Sequence, residues 1–323
     1  MIYNVGVVGL GDIAWRYDQR VSGVNDRPLT HTGVYQKNSK TIIRCGCSID
    51  NKDREDFSSK FRVPVYSTIE ELLSSAELDI ISICSPSENH FEHVSRCLET
   101  QVPMIWLEKP PAIDLDELCS LMKIQRKNNY ATRILVGFQR RYERLFQKIR
   151  QDIKDQKWGE LLSVYVTYSK GLLNNGSHYL DLIFFLIGDD LRNNLLYTTA
   201  YPCRSDPSFA LCFENGVAAT FVGLDTAYHC VDINLVFSSA RLSVLYGGME
   251  TRMETSVEHE SYPGFYRLKE VESPYSKCYK NSNNSMENSL LDLISAHQTD
   301  REPVSNLSTA NNTMTVLERV LKG

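Results

Sequence analysis

Residues 5–14 read VGVVGLGDIA, an apolar run that ends in Gly9-Leu10-Gly11-Asp12-Ile13-Ala14. Glycines at the first and third positions and a small residue at the sixth have the spacing of a turn that cradles a dinucleotide pyrophosphate. Gly9 permits the tight turn, Gly11 lets the pyrophosphate approach the backbone, and Ala14 allows the following helix to lie close to the strand. The N–H groups that open that helix, from Asp12 and Ile13, carry a partial positive charge towards the phosphates. The spacing alone also fits a plain tight turn; its force comes from standing between a strand and a helix at the start of an alternating chain.

An acid at the end of the second strand would hold the adenosine ribose. Here that strand ends in Ser48, followed by Ile49, Asp50, Asn51 and Lys52. Asp50 can reach a ribose hydroxyl if the turn bends back, or it can cap the next helix. Ser48 with Lys52 or Arg54 can accept a 2′-phosphate instead, so the sequence leaves NAD and NADP both open. Between the glycine turn and this strand lies an unusually long polar segment, residues 15–29, either a lid at the cofactor cleft or a tolerant surface loop. His90 and His93 have an i,i+3 spacing that could serve a metal, but no third ligand follows, so no metal is expected. Taken alone, Glu108-Lys109 reads as a surface ion pair and His178 as a capping or packed histidine.

The elements that would position these residues alternate from the start. Apolar strands such as VGVVGL, TIIRCGCSI, DIISICSP, PMIWLE and TRILVGFQ are separated by amphipathic helices. Near-continuous apolar strands of this kind belong to a parallel sheet covered on both faces. Residues 1–140 are therefore expected to form a doubly wound Rossmann domain, and residues 141–323 a second, α+β domain with a large, mainly antiparallel sheet. In the latter, Asn215-Gly216 between two apolar runs marks a hairpin. A net charge of −5 and 42% hydrophobic residues argue against nucleic acid as a partner. Nine cysteines without a CxxC pair read as thiols in a reducing compartment. With neither a leader pattern nor an apolar run of spanning length, the expected location is cytoplasmic, with no membrane partner. Asn306 and Asn311 match the N-glycosylation pattern by chance in that setting.

Five separated stretches, VGVVGLGDIA, CSPSENHFEHV, WLEKPPAID, VGFQRRYERLFQKI and NNGSHYLDLIFFLIGD, resemble in order the GFO/IDH/MocA oxidoreductases, named for glucose-fructose oxidoreductase, inositol dehydrogenase and a rhizopine-catabolism protein. The resemblance implies an NAD(P)-dependent oxidoreductase that moves a hydride between nicotinamide and a secondary alcohol of a sugar, cyclitol or nucleotide sugar. It places Lys109, of Glu108-Lys109-Pro110, beside the nicotinamide, on a turn that Pro110 would make rigid or cis. It makes His178 the second acid/base group. Many members carry an aspartate where this chain has Asn174, which can orient but not take a proton. Asp181 would bind a substrate hydroxyl or orient His178. Ser85, Pro86, His90 and Glu108 would border the cofactor, and Arg141 would approach cofactor or substrate. NNGSHYLDL looks like members associated with bacterial surface-polysaccharide sugars, a resemblance that tilts slightly towards a nucleotide sugar. Two other activities occur on this pattern: redox-neutral glycoside hydrolysis with retained NAD, and non-catalytic dinucleotide-dependent regulation. Family members pair through the second domain's sheet, and apolar alternation in VDINLVFSS and RLSVLYGG leads to an expected homodimer or homotetramer.

Overall fold

The computed structural model describes residues 2–20, 27–188, 197–201, 206–280 and 284–322. It divides into two compact units, one of Met1–Tyr142 with Asn284–Asn311, the other of Glu143–Asn283 with Asn312–Gly323.

The first unit is built on a six-stranded sheet of β1 (Tyr3–Val8), β2 (Thr41–Cys47), β3 (Val65–Tyr66), β4 (Ile80–Ile83), β5 (Met104–Leu107) and β6 (Arg133–Val136). Its order is β3-β2-β1-β4-β5-β6, with every pairing parallel. Strands β4, β5 and β6 are buried along their whole length, as apolar strands covered on both faces must be. The order reverses between β1 and β4, the switch point at which such sheets open a crevice at their carboxyl ends. This is the doubly wound Rossmann sheet expected for the amino-terminal half.

The unit boundary departs from the expected split at residue 140, because residues 284–311 return to the first unit. Helix Ser285–Gln298 supplies Met286, Leu290, Leu293 and Ile294 to a core shared with Val5, Val7, Trp106 and Leu135. Its distance in sequence hides that contact. Asp292 secures it, accepting from the Tyr142 hydroxyl at 2.8 Å and the Val304 N–H at 2.7 Å. Leu290 is fully buried. Leu290→Ala is therefore expected to cost about 2–5 kcal/mol in chemical denaturation, as a cavity in a packed core does.

The second unit holds an eight-stranded sheet of β7 (Leu161–Ser169), β8 (Tyr197–Tyr201), β9 (Ser208–Cys212), β10 (Ala218–Leu224), β11 (Val231–Phe237), β12 (Ala240–Leu245), β13 (Glu250–Glu258) and β14 (Tyr266–Val271), in the order β14-β13-β12-β11-β7-β10-β9-β8. Only β7 with β10 is parallel, so the sheet is mainly antiparallel as expected. The Asn215-Gly216 hairpin forms with Gly216 at φ +84° and the Phe213 N–H donating to Val217 O. The apolar alternation in β11 and β12 points inward: Val231, Ile233, Leu235, Leu242 and Val244 are buried. Their outward neighbours are mixed, Asp232, Asn234, Arg241 and Ser243 with Val236 and Leu245, and the Ser243 hydroxyl donates to Asn234 Oδ1 at 2.7 Å. The apolar strip on which the expected subunit interface rested is thus core.

Among the described residues no helix is long and apolar enough to cross a membrane. Cys45, Cys47, Cys84 and Cys97 are buried. Burial pushes the Cys45 thiol up to about 11 and the Cys47 thiol to about 12, which keeps both protonated and inert. Asn306 accepts from the Thr309 N–H at 3.1 Å at the start of helix Leu307–Lys322, a capping role.

Candidate active site

The cleft of the first unit is assembled from the carboxyl ends of β1, β2 and β4. Gly9 stands between them, its N–H donating to Cys47 O at 2.8 Å, while the Cys84 N–H donates to Val8 O at 2.7 Å. Gly9 lies at φ +83°, and a Cβ there would meet the Ser85 backbone nitrogen at 2.3 Å. It is glycine because the β4 loop crosses directly over it. Gly11 is different, since a Cβ there would meet nothing within 4 Å. No protein atom requires a glycine at that position, and the space it leaves open is where a pyrophosphate would lie against the backbone. A helical run starts at Asp12, with Ala14 fully buried beneath it, as close helix-to-strand packing demands. These residues fit a dinucleotide.

The cavity measures about 590 Å3. Of the expected cofactor residues, Gly9, Gly11, Ser48, Asp50, Ser85 and Pro86 line it. Asp53, Thr68, Glu70 and His93 line it too, and sequence reasoning did not assign them to the cofactor. His93 was visible only as half of a metal-like pair. Its Nδ1 lies 2.9 Å from Ser85 Oγ, and burial lowers its proton affinity.

Asp50 takes the capping role left open by the sequence: its carboxylate accepts from the Asp53 N–H at 2.9 Å while still facing the cleft. The nearby cations are engaged elsewhere. Lys52 pairs with Asp56 at 3.0 Å, and Arg54 donates to the carbonyl oxygens of Ser48 and Ile49 at 2.8 Å. Asp12 pairs with Arg20, and Ile13 packs against the core. The segment expected as an insertion starts inside the fold: Trp15 is buried against Phe57 and Phe61, and Asp18 accepts from the Leu29 N–H at 2.8 Å. Residues 21–26 lie outside the described residues, and with them the lid expectation.

Asp12, Ile13, Lys109, His90, Glu108 and Arg141 do not line the cleft, and the last three turn inward. His90 is 1% exposed, with Nδ1 2.7 Å from Pro110 O and Nε2 2.8 Å from Ser85 O. Both ring nitrogens face carbonyl oxygens, so the ring clamps the Lys109-Pro110 turn to the Ser85 wall and neither nitrogen is turned towards a metal. Glu108 turns its carboxylate inward to His31 Nε2 at 2.9 Å. Arg141 is fully buried and donates to Val304 O at 3.4 Å.

Lys109 follows the carboxyl end of β5, on a peptide that is cis to Pro110 as anticipated. It is half-buried, and burial lowers its proton affinity below the ordinary lysine value while the Glu108 carboxylate opposes the shift. A lysine shifted in this direction gives up its proton more readily than a free one.

In the second unit, helix Ser177–Ile187 follows a π-helical turn, Leu172–Gly176. Asn174 is exposed on that turn and His178 is half-buried at the start of the helix. The Ser177 hydroxyl donates back to Leu173 O at 2.8 Å, joining turn and helix. Asp181 is fully buried and accepts from the Thr313 hydroxyl at 3.3 Å, so it braces the helix from behind, and the expected contact with a substrate hydroxyl does not fit its burial. Leu182, Phe185 and Leu186 are core.

Residues 3–137 match the model of an oxidoreductase family with an NAD-binding Rossmann fold, GFO_IDH_MocA. The chain is 24% identical to the uncharacterised oxidoreductase YrbE of Bacillus subtilis over 84% of its own length and 82% of that protein's. Against inositol 2-dehydrogenase of Rhizobium meliloti it is 26% identical over 59% of this chain and 56% of the other. A crystal structure of a dehydrogenase from Chromobacterium violaceum superimposes with a TM-score of 0.78 at 17% identity, covering 99% of this chain and 95% of that one.

Proposed function

Since the chain is an oxidoreductase of the GFO/IDH/MocA family by its residues 3–137, we propose that it oxidises a secondary alcohol of a sugar, cyclitol or nucleotide sugar, or reduces the matching ketone, with a bound nicotinamide dinucleotide. The dinucleotide supplies a hydride acceptor or donor when bound. The observation that carries this reading is Lys109, a desolvated amine on a turn that His90 clamps to the wall of the dinucleotide cleft. Its neutral form takes the hydroxyl proton in the oxidation, and its ammonium returns it in the reduction. His178 is the second acid/base group, with Asn174 as the side chain that orients substrate or imidazole. Inositol 2-dehydrogenase among the relatives supports a polyol-like substrate.

The dinucleotide is NAD rather than NADP. Asp50, Asp53 and Glu70 line the cleft, Asp53 paired with Arg16 and Glu70 with Arg96, while Lys52 and Arg54 are held by other partners. A 2′-phosphate would bring like charge against these carboxylates, a repulsion of a few kcal/mol near a protein surface. The expected kcat/KM for NAD exceeds that for NADP by at least about tenfold. Asp50→Ser keeps a helix-capping oxygen and removes the charge, so it should narrow that ratio without lowering the melting temperature appreciably. An unchanged ratio would place the ribose elsewhere.

The test of the activity follows reduced-nicotinamide absorbance with NAD and NADP offered against polyols, sugars and nucleotide sugars. Turnover on a member of that panel supports the dehydrogenase. Tight cofactor retention with no turnover, and no net change in cofactor redox state during glycoside cleavage, would replace it with the redox-neutral hydrolase.

A further inference from the structure

Behind the Lys109 turn lies a chain of buried polar groups that neither the cleft nor the proton transfer uses. His31, on helix His31–Lys37, is buried, with Nε2 2.9 Å from Glu108 Oε1 and Nδ1 2.9 Å from Ser82 Oγ. The Tyr35 hydroxyl, one helical turn on, lies 2.6 Å from the same Ser82 oxygen. The His31 ring lies 4.1 Å from the Trp106 ring of β5, and the Tyr35 ring meets Trp106 edge-on. Glu108 itself lies across Gly137, where a Cβ would come within 3.0 Å of its carboxylate.

The donors in this chain run one way. A carboxylate only accepts, so His31 Nε2 donates to Glu108. In the neutral ring Nδ1 then accepts from the Ser82 hydroxyl, and Ser82 accepts from Tyr35. Burial raises the proton affinity of the Tyr35 phenol, so it stays a donor. This single arrangement gives His31, Ser82 and Tyr35 each a partner and ends on the residue next to Lys109. Buried polar networks are costly when half-satisfied, and a complete one fixes its members in place.

We propose that His31 is a positioning residue for Lys109: held between Ser82 and Glu108, it fixes the carboxylate of the residue next to the reactive amine. Two groups on neighbouring elements also meet this region. Cys84, at the end of β4, faces Glu108 and stays a neutral thiol because burial raises it. His90, from helix His90–Glu99, is committed to Pro110 O and Ser85 O. Glu108 is therefore the carboxylate whose charge acts on Lys109, and His31 is the side chain that controls it. Replacing His31 by leucine removes the donor that fixes the carboxylate, so its charge no longer holds one position near Lys109.

The inference deepens the dehydrogenase reading, so its test has one arm that needs no turnover. The pH dependence of Lys109 acylation by acetic anhydride would be read by peptide mass spectrometry in wild type, Glu108→Gln, His31→Leu, His31→Gln and Tyr35→Phe. Glu108→Gln and His31→Leu should both move the half-reaction pH downward. His31→Gln, whose amide can still donate to the carboxylate, should restore most of the wild-type value. In the second arm His31→Leu should lower kcat about 10- to 100-fold with the dinucleotide KM unchanged within about twofold. A half-reaction pH that moves in Glu108→Gln but not in His31→Leu would overturn the proposal and leave His31 a packing residue. Should His31→Leu not fold, Tyr35→Phe, which keeps the ring against Trp106, carries the test: a smaller downward shift supports the chain, and none refutes it. Absence of wild-type turnover with intact labelling shifts would count against the dehydrogenase reading alone.

Discussion

Lys109→Met is expected to lower turnover by about 10²- to 10⁴-fold, the contribution of a positioned acid or base, while dinucleotide affinity stays within a few-fold. Methionine keeps the length and the apolar stem of a side chain that is already half-buried, and the ammonium it removes is one that burial disfavours. The loss therefore falls chiefly on the proton transfer. Lys109 is not among the residues lining the pyrophosphate cleft, so calorimetric titration with the dinucleotide should give nearly the wild-type dissociation constant. In the direction of alcohol oxidation the neutral amine is the active form. The wild-type rate should thus rise with pH through a midpoint below the ordinary lysine value, and the variant's residual rate should not show that limb. A variant that keeps its turnover would remove Lys109 from the chemistry and make the cleft a binding site only.

The amino-terminal half was legible because its signals are local. A glycine at φ +83° under a crossing loop, apolar strands buried end to end and the cis turn at Pro110 each follow from a few adjacent residues. What was hidden depends on contacts distant in sequence. Helix Ser285–Gln298 looks like any amphipathic helix until Leu290 and Leu293 are found in the core of the first unit. Strands β13 and β14 were not anticipated, since ETRMETSVE and YRLKEV carry charges on an exposed edge hairpin rather than an apolar face. The site residues were read by type, and the direction each side chain takes was not legible. His90, Glu108, Arg141 and Asp181 are where the motifs put them, but each turns inward to a carbonyl, a histidine or a hydroxyl. Periodicity gives the face of an element; it does not say which polar side chain will be recruited to satisfy a buried neighbour.

The two glycines of the opening turn should separate in experiment, because different atoms demand them. Gly9→Ala sets a Cβ 2.3 Å from the Ser85 nitrogen and 2.5 Å from its Cα, both backbone, at φ +83°. Left-handed backbone costs an L-residue about 1–2 kcal/mol and overpacking about 1–3 more. The variant should therefore lose roughly 2–5 kcal/mol in chemical denaturation whether or not a dinucleotide is present. Gly11→Val adds its methyls to space with no protein atom within 4 Å of the new Cβ, at φ −84°. Its stability without ligand should stay within about 0.5 kcal/mol of wild type. Its dinucleotide affinity should fall by about 10²-fold, because the side chain fills the approach to the backbone N–H groups and about 2.7 kcal/mol of phosphate binding is lost. Stability lost in one variant and binding lost in the other means that Gly9 answers to the crossing β4 loop and Gly11 to the pyrophosphate. Wild-type affinity in Gly11→Val would mean that the phosphates do not cross this turn.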